Sequence, residues 1–219
     1  ELTEPVILIA DRGYEAYNNI AHIEQKGWNY LIRVKEKQGI LSGLNLPDTP
    51  EFDARFSYSL SKRLTNRIRT EPQKYRWLPN KVQFDYIRDA SDDLYLLSFR
   101  VVRFLVKEDL YETVITNLPE ARFPPSLLRM LYHKRWGIET AFRDLKYTLA
   151  LTHFHAKKRS FIMQEIFSKM TLYNFASLLR LHTKFVQPKG KYFYRVNAAF
   201  AAHIAREFLL GFVSAVNVE

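Results

Sequence analysis

The 219 residues include no cysteine, which excludes disulfides and thiolate zinc sites and leaves nothing that points to secretion. No apolar run approaches the length of a membrane span, and no signal-peptide pattern opens the chain. Internal repeats and low-complexity tracts are absent from the sequence. A cytoplasmic protein with no membrane contact is the default expectation. The other scarcity is local, and it concerns acidic residues. Residues 1–118 hold 17 basic and 17 acidic side chains, whereas residues 119–219 hold 16 and 6, so the whole excess behind the net charge of +10 lies in the second segment. A positive field of this kind fits a polyphosphate partner, although ribosome-associated and membrane-surface proteins are basic too.

What is present argues for a globular chain: 47% of residues are hydrophobic and 15% aromatic, enough for a full core. Val6 to Ala10, VILIA, reads as a buried parallel strand ended by Asp11 and Gly13. Tyr14 to Lys26 reads as a helix stopped by Gly27, and Trp28 to Val34 as the next strand, which completes a β-α-β unit. Ligands of open α/β sheets gather at the carboxyl ends of such strands, where Asp11 stands. An aspartate there can bind a metal or merely cap the following helix.

From residue 36 to 118 the texture changes to short β-like runs, with Phe56–Leu60, Val82–Ile87, Leu94–Val102 and Tyr111–Thr116 as candidate strands. Its basic stretch, Lys62, Arg63, Arg67, Arg69, Lys74 and Arg76, suits a solvated loop and DNA contact equally. After Pro125 the chain reads as helical, with helices expected over Ser126–Leu149, Ile162–His182 and Val196–Val213. His153 and His155 lack a third ligand and point to opposite faces of an extended segment, which disfavours zinc. Lys157, Lys158 and Arg159 suit phosphate contacts better. The run Lys189 to Val196, KGKYFYRV, could stack on bases, though aromatics of this kind more often belong to a core.

The most specific stretch is Leu131 to Lys146, LYHKRWGIETAFRDLK. On an uninterrupted helix Tyr132, Arg135, Glu139 and Lys146 fall within an arc of roughly 60°. The apolar Leu131, Ile138, Phe142, Leu145 and Leu149 form the neighbouring stripe. A carboxylate between cations suits a divalent metal beside a phosphate. An ordinary amphipathic helix with charges on its wet edge is the competing reading.

The spacing Y-x2-R-x3-E-x6-K closely resembles the signature of bacterial cut-and-paste insertion-sequence transposases with a DDE triad, and ADRGY, Ala10 to Tyr14, resembles their second block. The resemblance implies an α/β, RNase H-like (retroviral-integrase-like) core with a β-rich insertion, divided as core 1–35, insertion 36–118 and helical part 119–219, the boundary marked by Thr116-Asn117-Leu118-Pro119. It implies Asp11 and Glu139 as catalytic metal ligands, and Tyr132, Arg135 and Lys146 as DNA-binding residues, joined by Lys157 and Lys158. It also implies Mg²⁺ or Mn²⁺, two ions in the intact enzyme, with DNA (transposon ends and target) as substrate, a homodimer in the synaptic complex and a bacterial, nucleoid-associated location. Two-metal phosphodiester hydrolysis and strand transfer need three carboxylates. Because only ten residues precede Asp11, the reading expects a fragment that lacks the first strands and first aspartate, inactive alone and prone to self-association along the open edge of Val6–Ala10. A non-catalytic DNA-binding or assembly remnant is the alternative.

Overall fold

The computed structural model describes residues 6–36, 38–89, 91–183 and 195–213. They divide into two compact units, Glu1–Arg135 and Trp136–Glu219. The first is built on one mixed sheet. Its strands are β1 (Ile7–Ala10), β2 (Asn29–Arg33), β3 (Phe52–Ser61), β4 (Tyr75–Trp77), β5 (Leu94–Lys107) and β6 (Leu110–Thr116), in the order β1-β2-β6-β5-β3-β4. β1 and β2 are parallel, β6 runs antiparallel between β2 and β5, and β3 runs antiparallel to β5. The β-rich stretch thus extends the sheet that the β-α-β unit begins.

Strict alternation sorts the side chains onto two faces. On β3, Phe52, Phe56, Tyr58 and Leu60 join a core with Leu97, Phe99, Val101, Ile115, Tyr30 and Ile32, covered by Ile20, Ala21 and Ile23 of helix α1 (Tyr17–Gln25). The opposite face of β2, β5 and β6 presents Leu31, Val102, Phe104 and Val114 to Leu128 and Tyr132 of helix α3 (Pro125–His133), which has Pro125 at its first turn. Where β6 ends, Asn117 continues the pairing with its side chain: Oδ1 accepts from Tyr30 N at 2.9 Å and Nδ2 donates to Trp28 O at 3.1 Å.

Several elements depart from expectation. The first helix begins at Tyr17, because Asp11 caps a separate 3-10 turn over Arg12–Tyr14. Residues 82–87 form no strand, since side chains satisfy their backbone: Lys62 Nζ donates to Val82 O at 2.7 Å, and Asp85 N donates to Asn18 Oδ1 at 2.9 Å. Helix α2 (Asn66–Thr70) and β4 lie within the basic stretch. Most of its cations have partners within the chain. The Lys62 ammonium, 3% exposed, meets Asp89 at 3.2 Å, Arg63 pairs with Asp92, Arg67 and Lys74 flank Glu71, and Arg76 stacks over the Tyr58 ring. Lys62 is thereby structural, whereas Arg63, Arg67 and Lys74 remain more than half exposed.

Asp85 also pins its segment to α1. It accepts from Asn18 Nδ2 at 2.9 Å and meets His22 Nε2 at 2.7 Å, while His22 Nδ1 meets the Tyr86 hydroxyl. Hydrogen bonds from Asn18, then Gln83, then His22 hold its carboxyl down at about 2. A depressed folded-state pKa means that this tie is complete above the ordinary aspartate range and is lost as pH falls through about 2. Acid titration followed by NMR is expected to show the Asp85 amide and the Asn18 side-chain amide shifting together around pH 2, well beneath an unpaired aspartate.

The single expected helix over 126–149 is replaced by segments. After α3 the bonds Lys134 N to Leu131 O and Arg135 N to Tyr132 O tighten the turn. Helix α4 (Trp136–Arg143) follows, and then a π-helical turn over Asp144–Thr148. Helices α5 (Arg159–His182) and α6 (Ala198–Leu209) pack through Ala176, Ala202 and Ala205, with Phe175 stacked on Phe208. Among the described residues no helix is long and apolar enough to cross a membrane. Residues 189–194 of the aromatic-basic run lie outside the described residues.

Candidate metal ligands and nucleic-acid interface

Asp11 follows β1 in extended conformation (φ −83°, ψ 177°), so the alternation of Ile7 and Ile9 toward the α3 face continues to Asp11. Oδ1 accepts from Gly13 N at 2.8 Å; among the described residues Oδ2 has no hydrogen-bond partner. Capping and a free carboxylate oxygen therefore coexist. One step beyond the Ala10–Ile32 pair the parallel register sets Asp11 beside Arg33.

Arg33 is on the same α3 face and pairs with Glu112 of β6 at 3.1 Å. Tyr132 is buried there, 4% exposed, and its hydroxyl has no hydrogen-bond partner among the described residues. Burial and then Glu112 push the phenol's pKa up, while the guanidinium groups of Arg135 and Arg33 oppose this. It is thus a neutral donor held next to a cation. The Arg135 guanidinium lies 5.9 Å from the Tyr132 ring centre. The last turn of α3 packs Tyr132 onto the sheet.

A cavity of about 550 Å³ opens at this end of the sheet, lined by Arg12, Arg33, Lys35 and Arg103 among cations and by Glu36, Asp109 and Glu112 among anions. Arg103 pairs with Glu36 at 3.3 Å and lies over the Tyr111 ring. Arg12 and Lys35 make no ion pair among the described residues. Sequence reading missed Arg33, Lys35 and Arg103. The available signal was parity, because WNYLIRV places a cation where the alternation calls for an apolar side chain, one step from the aspartate strand's end.

The other expected site residues lie in the second unit. Glu139 is exposed in the first turn of α4. Lys146 is exposed in the π-helical turn, its Nζ 5.1 Å from the Tyr147 ring centre. The uninterrupted helix that the arc of roughly 60° requires is absent: the turn tightens at residues 134–135 and widens at 144–148. Lys157 and Lys158 are exposed immediately before α5, where an unpaired helix N-terminus also favours anions. The turn before them is structural: Glu165 accepts from His155 N and Ala156 N, which holds its pKa down, and Lys169 donates to the carbonyls of Ala150 and His153. Among the described residues no three His, Asp or Glu side chains gather as a metal-ligand cluster.

A carboxylate at a parallel strand end, beside a cavity whose lining includes four cations in a mixed α/β domain, suits a protein that handles phosphodiesters. The chain belongs to the transposase DDE domain family, whose model matches residues 1–175. Comparison with curated proteins finds no match. Membership implies transposase function with DNA as partner, in a family that typically uses divalent metal ions.

Proposed function

We propose that the chain is catalytic-domain sequence of an insertion-sequence transposase, RNase H-like, with residues 36–118 as a β-rich insertion between a core segment 1–35 and a helical part 119–219. Asp11 and Glu139 are two of its metal-binding carboxylates. Hard oxygen donors suit Mg²⁺ or Mn²⁺, and the uncommitted Oδ2 of Asp11 fits that role. When bound, two such ions activate the attacking oxygen and stabilise the leaving one in hydrolysis and strand transfer. The chain's own part is to hold the backbone. Arg33 and Lys35 receive phosphates beside Asp11, Glu112 orients the Arg33 guanidinium, and the Tyr132 hydroxyl donates into the same place. Arg135, Lys146, Lys157 and Lys158 extend the grip, and the working assembly on transposon ends is a homodimer.

The observation that carries this reading is that Asp11, Arg33, Glu112 and Tyr132 share one sheet face, with Arg33 and Glu112 also lining the charged cavity beside it. Duplex DNA binding by the chain is expected to be indifferent to sequence and to weaken steeply between about 50 and 200 mM salt. Arg33→Ala and Lys35→Ala should each lower the slope of log affinity against log salt by about 0.9, the value of one phosphate contact on B-DNA. Anisotropy titrations at several salt concentrations measure this, and unchanged slopes in both variants would refute the phosphate assignment.

A further inference from the structure

Glu15 lies just past the turn that carries Asp11, and both of its oxygens are taken by backbone beyond β2. Oε2 accepts from Lys35 N at 3.0 Å and Oε1 from Ile40 N at 2.9 Å. Gly39 stands at φ +63°, and a Cβ built there would come 2.0 Å from Glu15 Oε1. Glycine is thus needed at 39 both for its conformation and to make room for the carboxylate. At the other end, Tyr14 N bonds to Asp11 O at 3.1 Å and Glu15 N to Arg12 O at 3.4 Å, closing the turn between Glu15 and the aspartate. One side chain therefore ties the Asp11 turn to the segment bearing Lys35, Glu36 and Gln38, which forms a wall of the charged cavity.

We propose that Glu15 is a positioning residue, which fixes the exit of β2 against the Asp11 turn and so sets the spacing between the Asp11 carboxylate and the cations Arg33 and Lys35. The inference rests on the reading of those cations as phosphate ligands. Two amides held by one carboxylate fix the backbone at Lys35 and at Ile40. Without that anchor Lys35 samples many positions, and its phosphate contact is lost on average.

The test compares Glu15→Ala, Glu15→Gln and Gly39→Ala with Arg33→Ala and Lys35→Ala, each checked for folding by circular dichroism and titrated with duplex DNA across salt. Glutamine keeps one acceptor oxygen but presents an amide to the second N–H. Gly39→Ala keeps the carboxylate and displaces it. Glu15→Ala and Gly39→Ala are expected to lower the salt slope by about 0.9, matching Lys35→Ala, with Glu15→Gln between them and the parent. Adding Lys35→Ala to Glu15→Ala should lower the slope no further. A purely structural role would shift the melting temperature and leave the slope of the folded variant unchanged. That result, with Lys35→Ala still lowering the slope, overturns the positioning role alone. Unchanged slopes in both Arg33→Ala and Lys35→Ala overturn the phosphate reading and the positioning role with it. If Glu15→Ala does not fold, Gly39→Ala and Glu15→Gln decide by the same measure.

Discussion

Arg100→Ala is expected to destabilise the sheet unit by about 3–5 kcal/mol, the loss typical when one partner of a buried ion pair is removed. Only 2% of the Arg100 side chain is exposed, and its guanidinium forks onto the Asp53 carboxylate, itself 14% exposed. Nη1 donates to Leu118 O at 2.9 Å and Phe123 O at 3.1 Å. The residue thus joins β3, β5 and the segment that leads into α3. Alanine leaves a shielded carboxylate and two carbonyls without their donor, on top of a side-chain-sized void. Against a typical domain stability of roughly 5–15 kcal/mol, this is a large share. Arg100→Lys is expected to rescue little, because an ammonium cannot serve the planar fork and both carbonyls together. Urea unfolding curves of the two variants provide the measurement, and a loss under about 1 kcal/mol for Arg100→Ala would contradict the assignment.

Arg100 also illustrates why parts of this fold were legible in the sequence and others were not. The strands over 94–102 and 111–116 are readable because long apolar alternation dominates any local preference. An arginine inside that alternation carries no local mark of its partner, since Asp53 lies 47 positions away. Val82–Ile87 has strand-like composition, but its backbone bonds are taken by Lys62 and Asn18, a tertiary arrangement that no window of sequence encodes. The helix over 126–149 was read from its apolar stripe, whereas the tightened and π-helical turns that divide it come from hydrogen-bond register, which residue type scarcely determines. At the candidate site, motif spacing singled out Asp11 and the Tyr132 region. Parity within WNYLIRV marks Arg33 as unusual, but the relevance of Arg33, Lys35 and Glu112 to the site comes from the register of β2 beside β6, which no single strand encodes.

Asp11→Asn is expected to lower the affinity for Mn²⁺ by at least about 10–100-fold, the range seen even for changes one shell outside a metal's ligands. Asparagine is the informative replacement because its carbonyl oxygen can still accept from Gly13 N, as Oδ1 does at 2.8 Å. The 3-10 turn and the register of β1 are therefore kept, and only the charge is lost. Alanine would remove the cap as well and cost about 1 kcal/mol of stability, confounding the two roles. The sign of the effect on DNA separates a metal ligand from a capping residue. In chelator, removing a negative charge beside Arg33 should leave duplex affinity unchanged or raise it slightly, by no more than about 1 kcal/mol for exposed charges. With Mn²⁺ present, the parent chain should gain affinity and the asparagine variant should not, since a cation held by Asp11 offers the phosphate a further partner. Titrations of Mn²⁺ by electron paramagnetic resonance and of DNA by anisotropy read the two effects separately. Equal Mn²⁺ affinity in parent and variant would leave Asp11 as a cap for its turn and remove it from the set of metal ligands.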